Sequence, residues 1–165
     1  PIVEPEVLMD GDHSAETCLK KTSEVIKKCF EELIIHKIDL SGIILKPNMI
    51  LAGTASNKKI SSEEVARLTL KCLKENVPSN VPGIAFLSGG QTEIEATQNL
   101  NLISKYNDTN FIMSYSYGRA LQKSALKFWS KDLKDMDGTQ KIFNHRAKMC
   151  TLAAQGKWSA ELETK

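Results

Sequence analysis

A chain of 165 residues, 41% hydrophobic and 25% charged, is long enough for one domain with a real core and has an ordinary globular composition. Its formal net charge of +2 gives no basis for nucleic acid or an anionic membrane as the main partner, and no apolar run reaches the length that crosses a bilayer. Cys18, Cys29, Cys72 and Cys150 form no CxxC pair or metal-ligand spacing, which favours buried free thiols in a reducing cytosol over disulfides.

Residues 2–7 alternate as a short strand, and Asp10-Gly11-Asp12 supplies a turn. The chain opens without Met on residues that already read as strand, so it is expected to be a piece of something longer. From Ser14 the pattern is helical, with Cys18, Val25, Ile26, Cys29, Phe30, Leu33 and Ile34 recurring at three and four and Lys20-Lys21 and Lys27-Lys28 on the polar side. Gly42-Ile43-Ile44-Leu45-Lys46, closed by Pro47, reads as a brief buried strand. After a long polar loop, Ser61 and Glu64 offer a capping box for a helix carrying Val65, Leu68, Leu70, Cys72 and Leu73.

Gly83 to Ser88 is the next apolar run, ended by Gly89-Gly90, and a helix follows from about Gln91 to Ser104. Asn110 to Ser114 is the last strand, with helices near 118–130 and 136–155. The order βαβαβαβαα, with short and nearly all-apolar strands, predicts a parallel α/β sheet covered on both faces. Four βα units fit a small doubly wound sheet or half of a (β/α)8 TIM barrel, which in full takes ~250 residues. Polar chemistry at nearly every strand's carboxyl end, and the lack of a GxGxxG turn, favour the barrel.

Lys46 ends its strand, either snorkelling to solvent or held in a barrel mouth, where desolvation favours the neutral amine that attacks carbonyls. Glu4 and Glu6 stand two apart and so face one way, as a pair of solvated acids on an edge strand or as proton donor and base beside an amine. Ser88-Gly89-Gly90-Gln91 joins a strand to a helix, where free N–H groups suit an anion such as phosphate, although Gly-Gly also serves merely to turn. Ser116-Tyr117-Gly118-Arg119 repeats that logic with a guanidinium, and the two junctions together read as a sugar-phosphate site. His13, His36 and His145 show no ligand spacing, and Trp129 and Trp158 read as core or helix-packing residues.

Taken together, Val3-Glu4-Pro5-Glu6, Leu45-Lys46-Pro47-Asn48-Met49, Phe86-Leu87-Ser88-Gly89-Gly90-Gln91 and Ser116-Tyr117-Gly118-Arg119-Ala120-Leu121 resemble class I fructose-bisphosphate aldolases, in that family's order and spacing. The resemblance covers residues 1 to about 156 and implies the last four strands of a (β/α)8 barrel in a single domain, 1–165, whose amino-terminal half is absent. It implies that Lys46 forms the iminium with dihydroxyacetone phosphate, that Glu4 handles protons and that Glu6 supports it. It further implies that Leu87, Ser88, Gly89, Gly90, Ser116, Gly118 and Arg119 hold the substrate phosphate and ketose, with neither metal nor other cofactor. A cytoplasmic setting, a homotetramer, cytoskeletal partners and a carboxyl-terminal tail beyond Lys165 are family expectations. A segment with half the site is not expected to turn over substrate alone. The rival readings are another Schiff-base aldolase, of transaldolase or deoxyribose-phosphate type, and a non-catalytic interaction fragment.

Overall fold

The computed structural model describes residues 1–164. Strand β1 (Ile2–Val3) leads into α1 (Ala15–Ile35), which starts where the Ser14 side chain accepts the Thr17 N–H and buries Cys18, Thr22, Ile26 and Phe30 at four-residue spacing. A 3₁₀ turn at Leu40–Gly42 delivers the chain to β2 (Ile44–Leu45). Helix α2 (Ser62–Asn76) is capped by Ser61 and followed by β3 (Gly83–Phe86). Helix α3 (Glu93–Tyr106) carries a complete capping box between Thr92 and Glu95 and leads to β4 (Ile112–Tyr115). Each such cap satisfies a helix-end N–H and stabilises by about 1 kcal/mol. Helices α4 (Arg119–Trp129) and α5 (Met136–Ala154) follow, and a short 3₁₀ segment at Ala160–Thr164 ends the described chain.

All strand pairs are parallel and the spatial order β1-β2-β3-β4 is the sequence order. A doubly wound sheet reverses its order at a switch point; an unbroken order is that of a barrel wall. Ile2, Ile44, Gly83 and Ile112 lie abreast, and one step on come Val3, Leu45, Ile84 and Met113. Leu45, Ile84, Met113 and, further along, Phe86 are buried on the helix side. Burying each contributes roughly 1.5–3 kcal/mol before entropy is counted.

The opposite face is open: Ile2 is 60% and Ile112 73% exposed. The sheet is therefore not covered on both faces as expected. Right-handed crossovers made in one unbroken direction set every helix on the same side, so the second face is left to become a barrel lumen.

Other expectations need adjusting. The strand expected over 2–7 is confined to Ile2–Val3, with ladder bonds accepted by the Pro1 and Val3 carbonyls, since Pro5 has no N–H and β1 has a neighbour on one side only. Val25 and Ile34 are exposed rather than on the buried stripe of α1, and Cys29 is half-buried while the other three free thiols are buried. Burial pushes all four thiols up from the usual cysteine range. Trp158 packs in the core, but Trp129 is 39% exposed. At α2 only half of the expected capping box forms, because the Glu64 carboxylate turns to Arg67. Among the described residues no helix is long and apolar enough to cross a membrane.

Candidate functional site

Lys46 follows β2 by one residue, and its N–H still donates to the Val3 carbonyl at 2.8 Å, so the ladder extends to place it opposite Glu4. Two residues on from Ile44 and Ile2, both side chains emerge on the open face, at the carboxyl ends of the strands. There Lys46 Nζ lies 2.9 Å from Glu4 Oε1, with the lysine side chain 19% exposed and the glutamate 46%. Lys46 is thus paired and largely shielded from solvent rather than extended into it.

Glu6 does not join this pair. Its Oε1 packs over the glycine turn, so that a Cβ added to Gly89 would stand 3.3 Å from it. The two glutamates thus share a face but serve different neighbours, Glu4 the lysine and Glu6 the turn after β3.

What holds the two segments together is Asn48, 2% exposed. Its Oδ1 accepts the Val7 N–H at 2.9 Å, and its Nδ2 donates to Thr22 Oγ1 at 3.0 Å and to the Met49 carbonyl at 3.1 Å. One amide therefore ties the chain just after Glu6 and the chain just after Lys46 to α1. The polar loop after β2 runs back along the loop after β1, with Thr54 donating to the Met9 carbonyl at 2.7 Å. Gly53 fits because a Cβ there would stand 2.3 Å from the Gly11 carbonyl oxygen.

The two anion-suited junctions open into one cleft of about 440 Å³ between the starts of α3 and α4, lined by Ser88, Gly90, Gln91, Thr92, Arg119 and Lys123 among others. Gly90 has φ +72°, and a Cβ on it would meet Met9 at 3.0 Å, so the turn requires glycine. Gly118 caps α4 with no side-chain bond, and a Cβ on it would meet nothing within 4 Å, which leaves that helix start open to a ligand. Among the described residues neither Arg119 nor Lys123 is in an ion pair. The carboxylate that also lines the cleft, Glu93, is held away by Ser124, accepting its N–H at 3.0 Å and its hydroxyl. The cleft lining thus carries two cations, Arg119 and Lys123, against the one carboxylate of Glu93, whose oxygens are taken up by Ser124.

Leu87 and Ser116 follow β3 and β4 and are not part of the cleft lining. Leu87 is buried and its N–H donates to the Pro47 carbonyl at 3.1 Å; the Ser116 N–H donates to the Phe86 carbonyl at 2.9 Å. Both backbone donors are thus committed to the sheet, and the Ser116 hydroxyl is what that residue offers a ligand. Tyr117 anchors the second junction, donating from its buried hydroxyl to the Ala96 carbonyl at 3.0 Å, and burial pushes that hydroxyl well above the usual tyrosine range. Among the described residues no group of three or more His, Cys, Asp or Glu could hold a metal ion.

The sequence reading missed Asn48, Glu93 and Tyr117 as organisers of the site. Asn48 carried a usable signal: a polar side chain inside the apolar run Pro47–Ile50 must find buried partners. Glu93 and Tyr117 carried none, since their partners lie 31 and 21 residues away.

Comparison with known proteins points the same way. A family model described as fructose-bisphosphate aldolase class-I matches residues 1–165. The chain is 43% identical to a fructose-bisphosphate aldolase of Dictyostelium discoideum over 164 residues, 99% of this chain and 46% of that protein. It is 47% identical to the non-muscle type enzyme of Lethenteron camtschaticum over 159 residues, covering 96% of this chain and 44% of that one. The solved structure of Plasmodium falciparum fructose-bisphosphate aldolase, in complex with TRAP and a small-molecule inhibitor, superposes with a TM-score of 0.93 at 40% identity, covering 97% of this chain and 46% of that one. The chain spans about half the length of the relatives it matches. With a family model matching all of its 165 residues and relatives 43% and 47% identical, the chain belongs to the class I fructose-bisphosphate aldolases.

Proposed function

We propose that this chain carries the Schiff-base half of a lyase that reversibly cleaves fructose-1,6-bisphosphate to dihydroxyacetone phosphate and glyceraldehyde-3-phosphate. It would act as residues 1–165 of a single barrel domain completed by an amino-terminal half. The observation that carries the reading is the contact of 2.9 Å between Lys46 Nζ and Glu4 Oε1, at the carboxyl ends of their strands.

The chemistry follows from that pair. The Lys46 amine adds to the ketose carbonyl, and Glu4, within hydrogen-bond reach, supplies the proton with which the carbinolamine loses water. The resulting iminium is an electron sink. As the C4 hydroxyl gives up its proton, the C3–C4 bond breaks, the aldehyde leaves and the bonding electrons move into an enamine. Protonation at C3 and hydrolysis release dihydroxyacetone phosphate and return the free lysine. Ser88, Gly89, Gly90, Ser116, Gly118 and Arg119 would fix the phosphorylated end so that the carbonyl stays within reach of Nζ, with Leu87 setting the depth of that wall.

The test is borohydride reduction of the full-length protein in the presence of dihydroxyacetone phosphate, followed by peptide mapping. A reduced adduct on Lys46 is expected. Adducts confined to other lysines, or none, would overturn the assignment and leave a non-catalytic interaction role.

A cytoplasmic setting is supported by the Arabidopsis thaliana relative, 42% identical over 164 residues, whose name describes it as cytosolic. A homotetramer and cytoskeletal partners for the full-length protein rest on the family resemblance, and light scattering of the full-length protein reads the assembly.

A further inference from the structure

The Ser88–Gln91 turn must hold an anion with backbone groups, yet glycines at 89 and 90 give it little stiffness of its own. Its rigidity comes from behind. The Ser88 carbonyl accepts twice from Gln91, from the backbone N–H at 3.0 Å and from the side-chain Nε2 at 3.3 Å. The other end of that amide, Oε1, accepts from Nδ2 of Asn99 at 2.7 Å. Asn99 sits on α3, 4% exposed, and with Gln91 and both glycines lines a small cavity of about 160 Å³ behind the turn.

The polarity of this chain of amides is forced from one end. A carbonyl can only accept, so Gln91 must present Nε2 to Ser88 and is left with Oε1 facing Asn99, which must then present Nδ2. Asn99 Oδ1 is what remains; among the described residues no protein group donates to it, and Asn99 lines the cavity behind the turn. A buried asparagine whose side-chain amide donates to Gln91, and through it steadies the Ser88 carbonyl, serves the anion turn rather than the packing of the core.

We propose that Gln91 and Asn99 are positioning residues that preorganise the Ser88–Gly90 turn for a phosphate before substrate arrives, with Asn99 setting the orientation of the Gln91 amide. This rests on the reading of the cleft as the substrate-phosphate site. Neither residue touches the reacting carbonyl, so their loss would weaken phosphate binding and leave the chemistry at Lys46 intact.

The experiment uses the full-length protein with Asn99→Leu, Asn99→Asp and Gln91→Met, reading KM and kcat for fructose-1,6-bisphosphate and competitive inhibition by inorganic phosphate. Asn99→Leu is expected to raise KM and the phosphate inhibition constant together by about five- to tenfold, the worth of one ordinary hydrogen bond, with kcat within about twofold. Asn99→Asp should be worse than Asn99→Leu although closer in shape, because an acceptor at 99 turns the Gln91 amide and aims Oε1 at the Ser88 carbonyl. Gln91→Met keeps the volume and should match Asn99→Leu. KM and phosphate inhibition unchanged in both Asn99 variants would overturn the proposal. Arg119→Ala separates that failure from failure of the site itself: if it too leaves phosphate inhibition unchanged, the cleft is not the phosphate site.

Discussion

Lys46 and Glu4 form a pair whose two members differ in their contact with water, the lysine side chain 19% exposed and the glutamate 46%. A carboxyl group that water can reach and that lies 2.9 Å from the lysine nitrogen is placed to relay a proton between solvent and the chemistry at that nitrogen. Glu4→Gln keeps the shape and a hydrogen-bonding oxygen but cannot carry a proton. We predict that it lowers kcat of the full-length protein by about 10²- to 10³-fold with KM changed little. Steady-state cleavage of fructose-1,6-bisphosphate reads this, and a kcat within threefold of wild type would remove Glu4 from proton handling. Much of this pair was legible beforehand, since Glu4 and Lys46 each sit at a strand's carboxyl end, where barrel enzymes keep their chemistry. The parting of Glu6 from Glu4 was not. Spacing sets which face a side chain leaves from, but the neighbour it meets comes from another loop, here Gly89 after β3.

At the scale of elements, α5 is fastened to the segment after it by a partly buried ion pair. Arg146, 5% exposed, donates from both terminal nitrogens to Glu163, at 2.8 and 2.7 Å, and to Thr97 of α3 at 3.1 Å. Trp158 donates its indole N–H to the same carboxylate at 2.7 Å. Partial burial pushes the Glu163 carboxyl up, but hydrogen bonds from Arg146 and Trp158, the Arg146 charge and His145 outweigh this and hold it below its ordinary value of 4.5. A carboxyl lowered in the folded state contributes stability that is complete above that ordinary value and is lost as pH falls through the lowered one. We predict that acid releases the 160–164 segment below about pH 4.5, read as a change in Trp158 fluorescence in a full-length background whose other tryptophans are replaced by Phe. Glu163→Gln should abolish this step and, by leaving Arg146 without its counter-ion, cost roughly 2–3 kcal/mol. An acid fluorescence step that persists unchanged in Glu163→Gln would show that the clamp is not the titrating element. The helices themselves were readable from three-and-four spacing, and α4 and α5 fall within two residues of expectation. The clamp was not, because arginine is almost never this buried and its partner lies 17 residues away in a short, irregular segment.

At the largest scale, residues 1–164 form a barrel wall with one face and two edges open. β1 and β4 each have a single neighbour, and the face that carries Lys46 also carries Ile2 and Ile112, 60% and 73% exposed. Burying such a side chain contributes roughly 1.5–3 kcal/mol, and a sheet edge adds a row of backbone groups with no partner. A domain that is only about 5–15 kcal/mol stable does not readily forgo either. The relatives, of which this chain covers about half, have the length to supply four further βα units that would close both edges and fill the lumen. The alternation of short apolar runs with helices fits a doubly wound sheet as well as a barrel wall, so neither the unbroken strand order nor the one-sided covering followed from it: an apolar strand reads alike whether its second face meets a helix or a lumen. We predict that residues 1–165 expressed alone self-associate or melt broadly. Co-expression with the amino-terminal half of a family member should give a complex of defined mass with a single sharp transition. Light scattering across a range of concentrations, together with calorimetry, decides it. A concentration-independent monomer whose calorimetric and van't Hoff enthalpies agree would show that four units bury enough to stand alone. Lys46 and its cleft would then lie on the surface of a self-sufficient fold rather than in the mouth of a shared barrel.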